Sequence, residues 1–456
     1  MSTADSQHQH RHRLERLVEW ALCEDVLQDD DVPHAVTLVT DTLAAIVGAG
    51  VEPEVRGLAA SAPALGGQGP ATVLATGAGT SPWAAALVNG TAAVRLELDE
   101  GNGFCANHPS AHTVPAVLAT AEDVGADEAT FLAASAAAYE LAVRVGRGIA
   151  LPPAVHPFGT AMVCGAALGV ARLRGLDVPL ATRAVRLAAA LTPASTQRAA
   201  NQGSTVRNAV TGSCAAAGVL AVTLAETGTS DDLLALPTVF GEILGERYDD
   251  TWLDDGLGTY RYLRTGYLKT HACSRWNHAP IEATETILAR DGFGPDAVVD
   301  VEVATYDPAT RLDSREPQTG FSGKHSIPFN IAARILRRDN GIDTYTDEVV
   351  QGSTTRALMQ RVRVVENPTM TAAAPQVRAA RVTSRLKDGQ LLTATEERPP
   401  GGADRPYPPG VIREKHRALL RRGQPDHDVE ALLRWCDALP RHSSLTDLAA
   451  LVGGPR

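Results

Sequence analysis

The stretch "YLKTHACSRWNH", residues 267–278, sets Lys269, His271, Cys273, Arg275 and His278 within twelve positions. Only four lysines occur in the chain, Lys269, Lys324, Lys387 and Lys415, among 42 lysine and arginine residues together. A solvated strand has no need of such a mixture, and an apolar core holds it only at a large desolvation cost. An anion-binding or proton-transferring site uses every one of these groups. Arginine grips a carboxylate with two parallel bonds, lysine supplies a point charge, and histidine gives or takes a proton near neutrality.

Three further clusters carry the same kind of chemistry. "LELDEGNGFCANHPSAHT", residues 96–113, delivers Glu97, Asp99, Glu100, His108 and His112 as the chain leaves an alanine-rich helix. "VHPFGTAMVCGAA" places His156 before a proline and leads through Gly159 and Thr160 into a Gly/Ala helix, whose amino end favours an anion. "NQGSTVRNAVTGSCAA" sets Arg207 ahead of another small-residue helix. Each cluster also has a structural reading, as a cap, a turn or a surface ion pair. His108 and His112 have the i, i+4 spacing of a zinc pair, but Pro109 and Pro115 argue against a regular helix there. The expectation is no metal.

These clusters need elements to hold them. From about residue 13 to 250 the apolar residues recur at helical spacing. "SPWAAALVNG" opens on Ser81 as N-cap and Pro82 at the first helical position. After an Asp127 cap, Phe131, Ala134, Ala138, Ala142, Val145 and Ile149 form one stripe. Beyond about residue 290, "DAVVDVEVATYDP", "QRVRVVENP" and "AARVTSRLKDGQLLTATEE" alternate as strands do, with "KDGQ" as a hairpin turn. A helix is expected after Pro328. "PPGGADRPYPPG", residues 399–410, reads as a linker, and helix returns from Val411. The expected fold is mainly α, a large helical domain built from both chain ends with a smaller inserted α/β lid domain. Its boundaries are a disordered tail over 1–13, helical domain over 14–268, lid over 269–400, and linker with the rest of the helical domain over 401–456.

Composition narrows the function. A net charge of -11 over 456 residues disfavours nucleic acid as a partner. No apolar run is read as long enough for a membrane span, and the N-terminus lacks a signal-peptide pattern. Six scattered cysteines without a CxxC pair fit a reduced cytoplasmic protein and no iron–sulfur or zinc framework. Removing water from a hydroxy acid requires a base, an acid for the departing hydroxyl, and cations for the carboxylates. Decarboxylation and epimerisation use similar parts.

Taken in order, "LELDEGN", "HPSAHTVPAVLATAEDVGAD", "YELAVRVG", "HPFGTAMVCGAALGVARLRGLD", "VRNAVTGSCAAAGVLA", "YLKTHACSRWNHAPIEA", "HSIPF" and "LKDG" resemble the MmgE/PrpD family over nearly the whole chain. The resemblance implies a helical domain, an α/β lid, a homodimer and a cofactor-free site between the domains. It implies catalytic roles for Asp99, His108, His156 and Lys269. Substrate contacts are expected from Glu97, Arg207, Ser274, His278, Lys324, His325 and Phe329. Arg207 stands where lysine is expected, Ser274 where cysteine or histidine is usual, and Phe329 where tyrosine is frequent. Lys269 is expected to face a substrate carboxylate from the cleft. The implied activity is lysis of a small carboxylic acid, foremost dehydration of a hydroxytricarboxylate of the 2-methylcitrate type. Decarboxylation, epimerisation, or carboxylate binding without catalysis are the alternatives.

Overall fold

A computed structural model describes residues 3–290, 293–441 and 445–453. The helices that position the site are α1 (Thr3–Leu22), α2 (Val32–Ala49), α3 (Pro53–Gly66), α4 (Pro82–Ala93), α5 (Pro109–Val124), α6 (Glu128–Arg147), α7 (Met162–Leu173), α8 (Val178–Ala190) and α9 (Val206–Glu226). The caps form as the residue types dictate. Ser81 Oγ accepts from the Ala84 amide at 3.3 Å, and Asp127 from that of Thr130 at 2.7 Å. The α6 stripe from Phe131 to Val145 is buried, but the helix stops at Arg147 and Ile149 enters a two-residue strand.

Small residues bring these helices together. A Cβ on Gly165 of α7 would strike the Ala138 carbonyl of α6, and one on Gly212 of α9 would strike that of Leu87 in α4. The glycines are therefore used inside one subunit. Two helical segments, Asp29–Ala49 and Val206–Glu226, are long and apolar enough to cross a membrane by length and composition, contrary to the sequence expectation. Both lie for the most part buried in the fold, as core helices do.

The lid carries one four-stranded sheet of β1 (Val298–Thr305), β2 (Val362–Glu366), β3 (Ala380–Leu386) and β4 (Leu391–Glu396), in the order β2-β1-β3-β4. The β1–β2 pair is parallel, and β3 runs antiparallel to both β1 and β4. The "KDGQ" hairpin joins β3 to β4 with Gly389 at φ +87°. Helices α10 (His278–Leu288) and α11 (Ile327–Arg337) pack on this sheet. After the linker, α12 (Pro409–Gly423) returns to lie on α2, and α13 (Val429–Ala438) packs beside both.

The expected frayed tail over 1–13 is corrected from Thr3 onward. Residues Thr3–Leu22 form α1, whose His10 is buried with Nδ1 3.1 Å from Asp250 Oδ2. The residues before Thr3 lie outside the described range. The doubt about helix at residues 109–115 is corrected too. Pro109 occupies the first turn, where its missing N–H costs nothing, and Pro115 is carried inside α5.

Candidate functional site between the helical domain and the lid

The site is built on Leu96–Asp99, in the turn just beyond the end of α4 at Ala93. Glu97 has φ +57°, a left-handed conformation that costs a non-glycine residue about 1–2 kcal/mol. This turn sends the Glu97 side chain toward Arg207 and leaves Asp99 fully buried beneath His108. Asp99 Oδ2 lies 2.5 Å from His108 Nδ1, and its Oδ1 lies 3.4 Å from Lys269 Nζ. Burial alone would raise the Asp99 pKa, but the charges of His108 and then Lys269 overcome it and hold the carboxyl well below its usual range. Asp99 is therefore a carboxylate at neutral pH. It engages one ring nitrogen of His108 and leaves the other for the cavity that His108 lines.

Two more imidazoles are fixed nearby. His156 Nδ1 accepts the Phe158 N–H at 3.2 Å, so its proton resides on Nε2. Burial, followed by the charges of His108 and His112, lowers it to about 3, and it is neutral at pH 7. His112 Nδ1 donates to the His108 carbonyl at 2.7 Å, while Nε2 accepts the Gly159 N–H at 3.2 Å. Both of its nitrogens are thus engaged in tying the His108 loop to the His156 loop. Burial first of all keeps it neutral, at about 4. Phe158 stands edge-on to all three rings, with centroids 4.6–5.1 Å away, and the Arg207 guanidinium lies 4.3 Å over its face.

The cavity is about 300 Å³, the lower end of the size usual for small-molecule sites. Its walls come from both parts of the fold. The helical domain gives Glu97, His108, His156 and Arg207, and the lid gives Ser274, Arg275, Arg311, His325 and Arg378. Four arginines therefore face one lining carboxylate, Glu97, which is itself paired to Arg207. Arg275 donates to the carbonyls of Pro399 and Pro400 at 2.7–2.8 Å and stacks 4.8 Å from the Tyr267 ring. Arg378 reaches the Gly103 carbonyl at 3.3 Å across the cleft. Arg311 is also paired, with Asp307 at 3.0 Å, so the excess positive charge on the walls comes from Arg275 and Arg378, near the Asp99-paired His108 and the neutral His156.

Of the expected site residues, Glu97, His108, His156, Arg207, Ser274 and His325 line this cavity. Asp99 sits directly behind His108. Lys269 differs from expectation: it is fully buried and faces the protein's own carboxylates, Asp99 at 3.4 Å and Glu97 at 3.8 Å. Three others do not reach the cavity. His278 turns to Arg275 and the His271 ring, and burial, followed by Arg275, pushes it well below its ordinary pKa. Lys324 is drawn to the carbonyls of Leu96 and Ala272, at 3.0 and 2.8 Å, and to the Tyr345 ring. Phe329 is core, packed against Tyr345 with centroids 5.7 Å apart. His271 pairs with Glu282 at 2.8 Å, a supporting role.

Sequence reasoning missed Arg311 and Arg378 as lining residues. Neither lies near a cluster in sequence, since the lid fold alone brings residues 311 and 378 to residues 97 and 156. Arg275 stood in the opening stretch, and its planar fork was the available signal.

A helical domain and an α/β lid that close on a cavity lined with histidines and arginines define a class of two-domain, cleft-bearing proteins. The chain belongs to the MmgE/PrpD family: residues 16–243 match its N-terminal domain and residues 271–439 its C-terminal domain. It is similar to cis-aconitate decarboxylase of Aspergillus terreus, with 23% identity over 482 aligned positions covering 96% of this chain and 95% of the relative. The cis-aconitate decarboxylase of Aspergillus terreus (strain NIH 2624 / FGSC A1156) is 24% identical with the same coverage.

Proposed function

We propose that the protein is a lyase for a small polycarboxylic acid, bound in the cleft by arginines and deprotonated by His108. The observation that carries this reading is the Asp99–His108 pair opening onto a cavity lined by Arg207, Arg275, Arg311 and Arg378. A carboxylate behind an imidazole holds its tautomer and stabilises the imidazolium formed when the ring takes a proton. In a dehydration, His108 removes the proton next to a substrate carboxylate. Negative charge moves onto that carboxylate, where the arginines and the His156 Nε2–H receive it. The imidazolium then protonates the departing hydroxyl, water leaves, and the double bond remains. Every step runs through residues of this chain, and no cofactor is required in the proposal.

A second reading is decarboxylation, favoured by the two relatives named above. Here the carbon–carboxylate bond breaks, carbon dioxide leaves, and a His108 imidazolium protonates the carbanion. The two readings differ in what is released. Incubating the pure protein with hydroxytricarboxylates, cis-aconitate and amino- or imino-dicarboxylates, followed by proton NMR and carbon dioxide detection, separates them. New alkene signals without carbon dioxide support dehydration, and carbon dioxide release supports decarboxylation. Loss of chirality alone supports an epimerase, and no turnover of any acid leaves a carboxylate-binding protein. We further place the protein in the cytoplasm as a homodimer joined through its helical domain, on the strength of its reduced cysteines and the exposed apolar residues Val206 and Leu220 along α9.

A further inference from the structure

Three of the four lysines converge on the same four residues, Leu96–Asp99, from three distant parts of the chain. Lys324, at the foot of α11 in the lid, donates to the Leu96 carbonyl at 3.0 Å and also to Ala272 O. Lys269 stands between the Glu97 and Asp99 carboxylates. Lys415, on α12, donates to the Leu98 carbonyl at 2.7 Å and pairs with Asp41 at 2.5 Å. Lys269 and Lys324 are buried and the Lys415 side chain is only 6% exposed, whereas Lys387 sits in the exposed hairpin turn. Backbone carbonyls on either side of Glu97 are thus each held by an ammonium, and the residue between them has the left-handed φ of +57°. It is one of three non-glycine residues with positive φ among the described residues.

We propose that Lys324 and Lys415 are positioning residues that clamp the Leu96 and Leu98 carbonyls, hold Glu97 in its left-handed turn, and so aim Asp99 at His108. The clamp follows from geometry. With Glu97 in an ordinary right-handed or extended conformation, the side chains on its two sides would leave their present directions, and the 2.5 Å Asp99–His108 contact would not form. Lysine suits the task because its slim chain reaches a buried carbonyl and a single ammonium donates to two acceptors at once. The clamp also joins three regions. Lys324 belongs to the lid, Lys415 to the returning C-terminal helix, and the clamped segment to the N-terminal helical domain. The base is consequently aligned only where all three regions are in place.

The inference rests on the proposed catalytic role of His108, and its test separates the two. Lys324→Met and Lys415→Met keep the aliphatic stem and remove the donor. Each is expected to lower kcat about 10²-fold, the loss typical of a misplacement of about 1 Å, with KM changed only a few-fold because the arginines are untouched. Crystal structures of both variants are expected to show Glu97 moved out of positive φ and Asp99 withdrawn from His108. Asp41→Asn keeps Lys415 on Leu98 O but removes its counter-ion, and should lower the melting temperature while kcat stays near wild type. If Lys415→Met does not fold, Asp41→Asn/Lys415→Met removes the ion pair as a unit and takes its place. A positive Glu97 φ with the Asp99–His108 contact intact in the variants overturns the clamp, as does an unchanged kcat. If wild type turns over none of the acids, the functional reading fails, and the Glu97 geometry alone decides the inference.

Discussion

Lys269 shows how far a single residue could be read before its surroundings were known. Its scarcity and its company of histidines marked it for a charged site, which is where it lies, but its partners are Asp99 and Glu97 and not open cleft. That difference changes the expected result of removing it. Lys269→Ala would leave two buried carboxylates short of a cation, and breaking such a buried arrangement costs about 3–5 kcal/mol. The variant should lose both turnover and thermal stability, measured by steady-state assay and calorimetry. Lys387→Ala, at the exposed hairpin turn, should alter neither. Asp99, His108 and His156 were named through the family resemblance carried by "LELDEGN", "HPSAHT" and "HPFGT", since aspartate and histidine in a turn serve equally well as caps, and the fold brings all three to one cleft. Lys324, His278 and Phe329 were misplaced because a segment's presence at a site does not say which way each side chain turns. Arg311 and Arg378 were illegible, being brought in only by lid topology.

At the scale of elements, α5 must present His108 at its amino end, and Glu100 holds that end. Its Oε1 accepts the Ser110 N–H at 2.6 Å, inside the first turn of α5. Burial pushes Glu100 from its ordinary 4.5 up to about 8. The folded protein therefore keeps a proton that the unfolded chain releases. Stability from this group is fully present below pH 4.5 and is lost as pH rises toward 8. His112 and His156 act oppositely: held neutral, they withdraw stability as pH falls from 6.5 toward 3. Melting temperature should thus decline for wild type between pH 7 and 8. Glu122 and Glu140, pushed up to about 7 by burial, add to the decline, so Glu100→Gln, which mimics the protonated acid, should lessen it in differential scanning calorimetry without abolishing it. An equal slope in both proteins would remove Glu100 from this role. The helices themselves were readable from spacing and caps, and the α5 helix was doubted only because Pro109 and Pro115 read as breakers. The first turn tolerates proline, and packing of α5 against α6 and α7 outweighs the second.

For the whole molecule, the return of α12 onto α2 makes the helical domain discontinuous in sequence, with the lid inserted between its parts. The composition shift near residue 290 and the Pro/Gly linker at 399–410 announced this. The cleft could not be read in the same way, because its geometry depends on how Arg275 is tied to Pro399 and Pro400 at the linker. Val206 and Leu220 leave apolar surface on the outside of α9, and sedimentation at micromolar concentration should show twice the 47.9 kDa chain. A single species at the monomer mass would remove the dimer. The central claim concerns the base in the cleft, and proton NMR in D₂O tests it most directly. Wild-type protein with the acid it converts should exchange or transfer deuterium at the substrate carbon. His108→Gln, with the fold retained, should lower the rate of that transfer by about 10²–10⁴-fold. A His108→Gln protein that transfers deuterium at the wild-type rate would contradict the account.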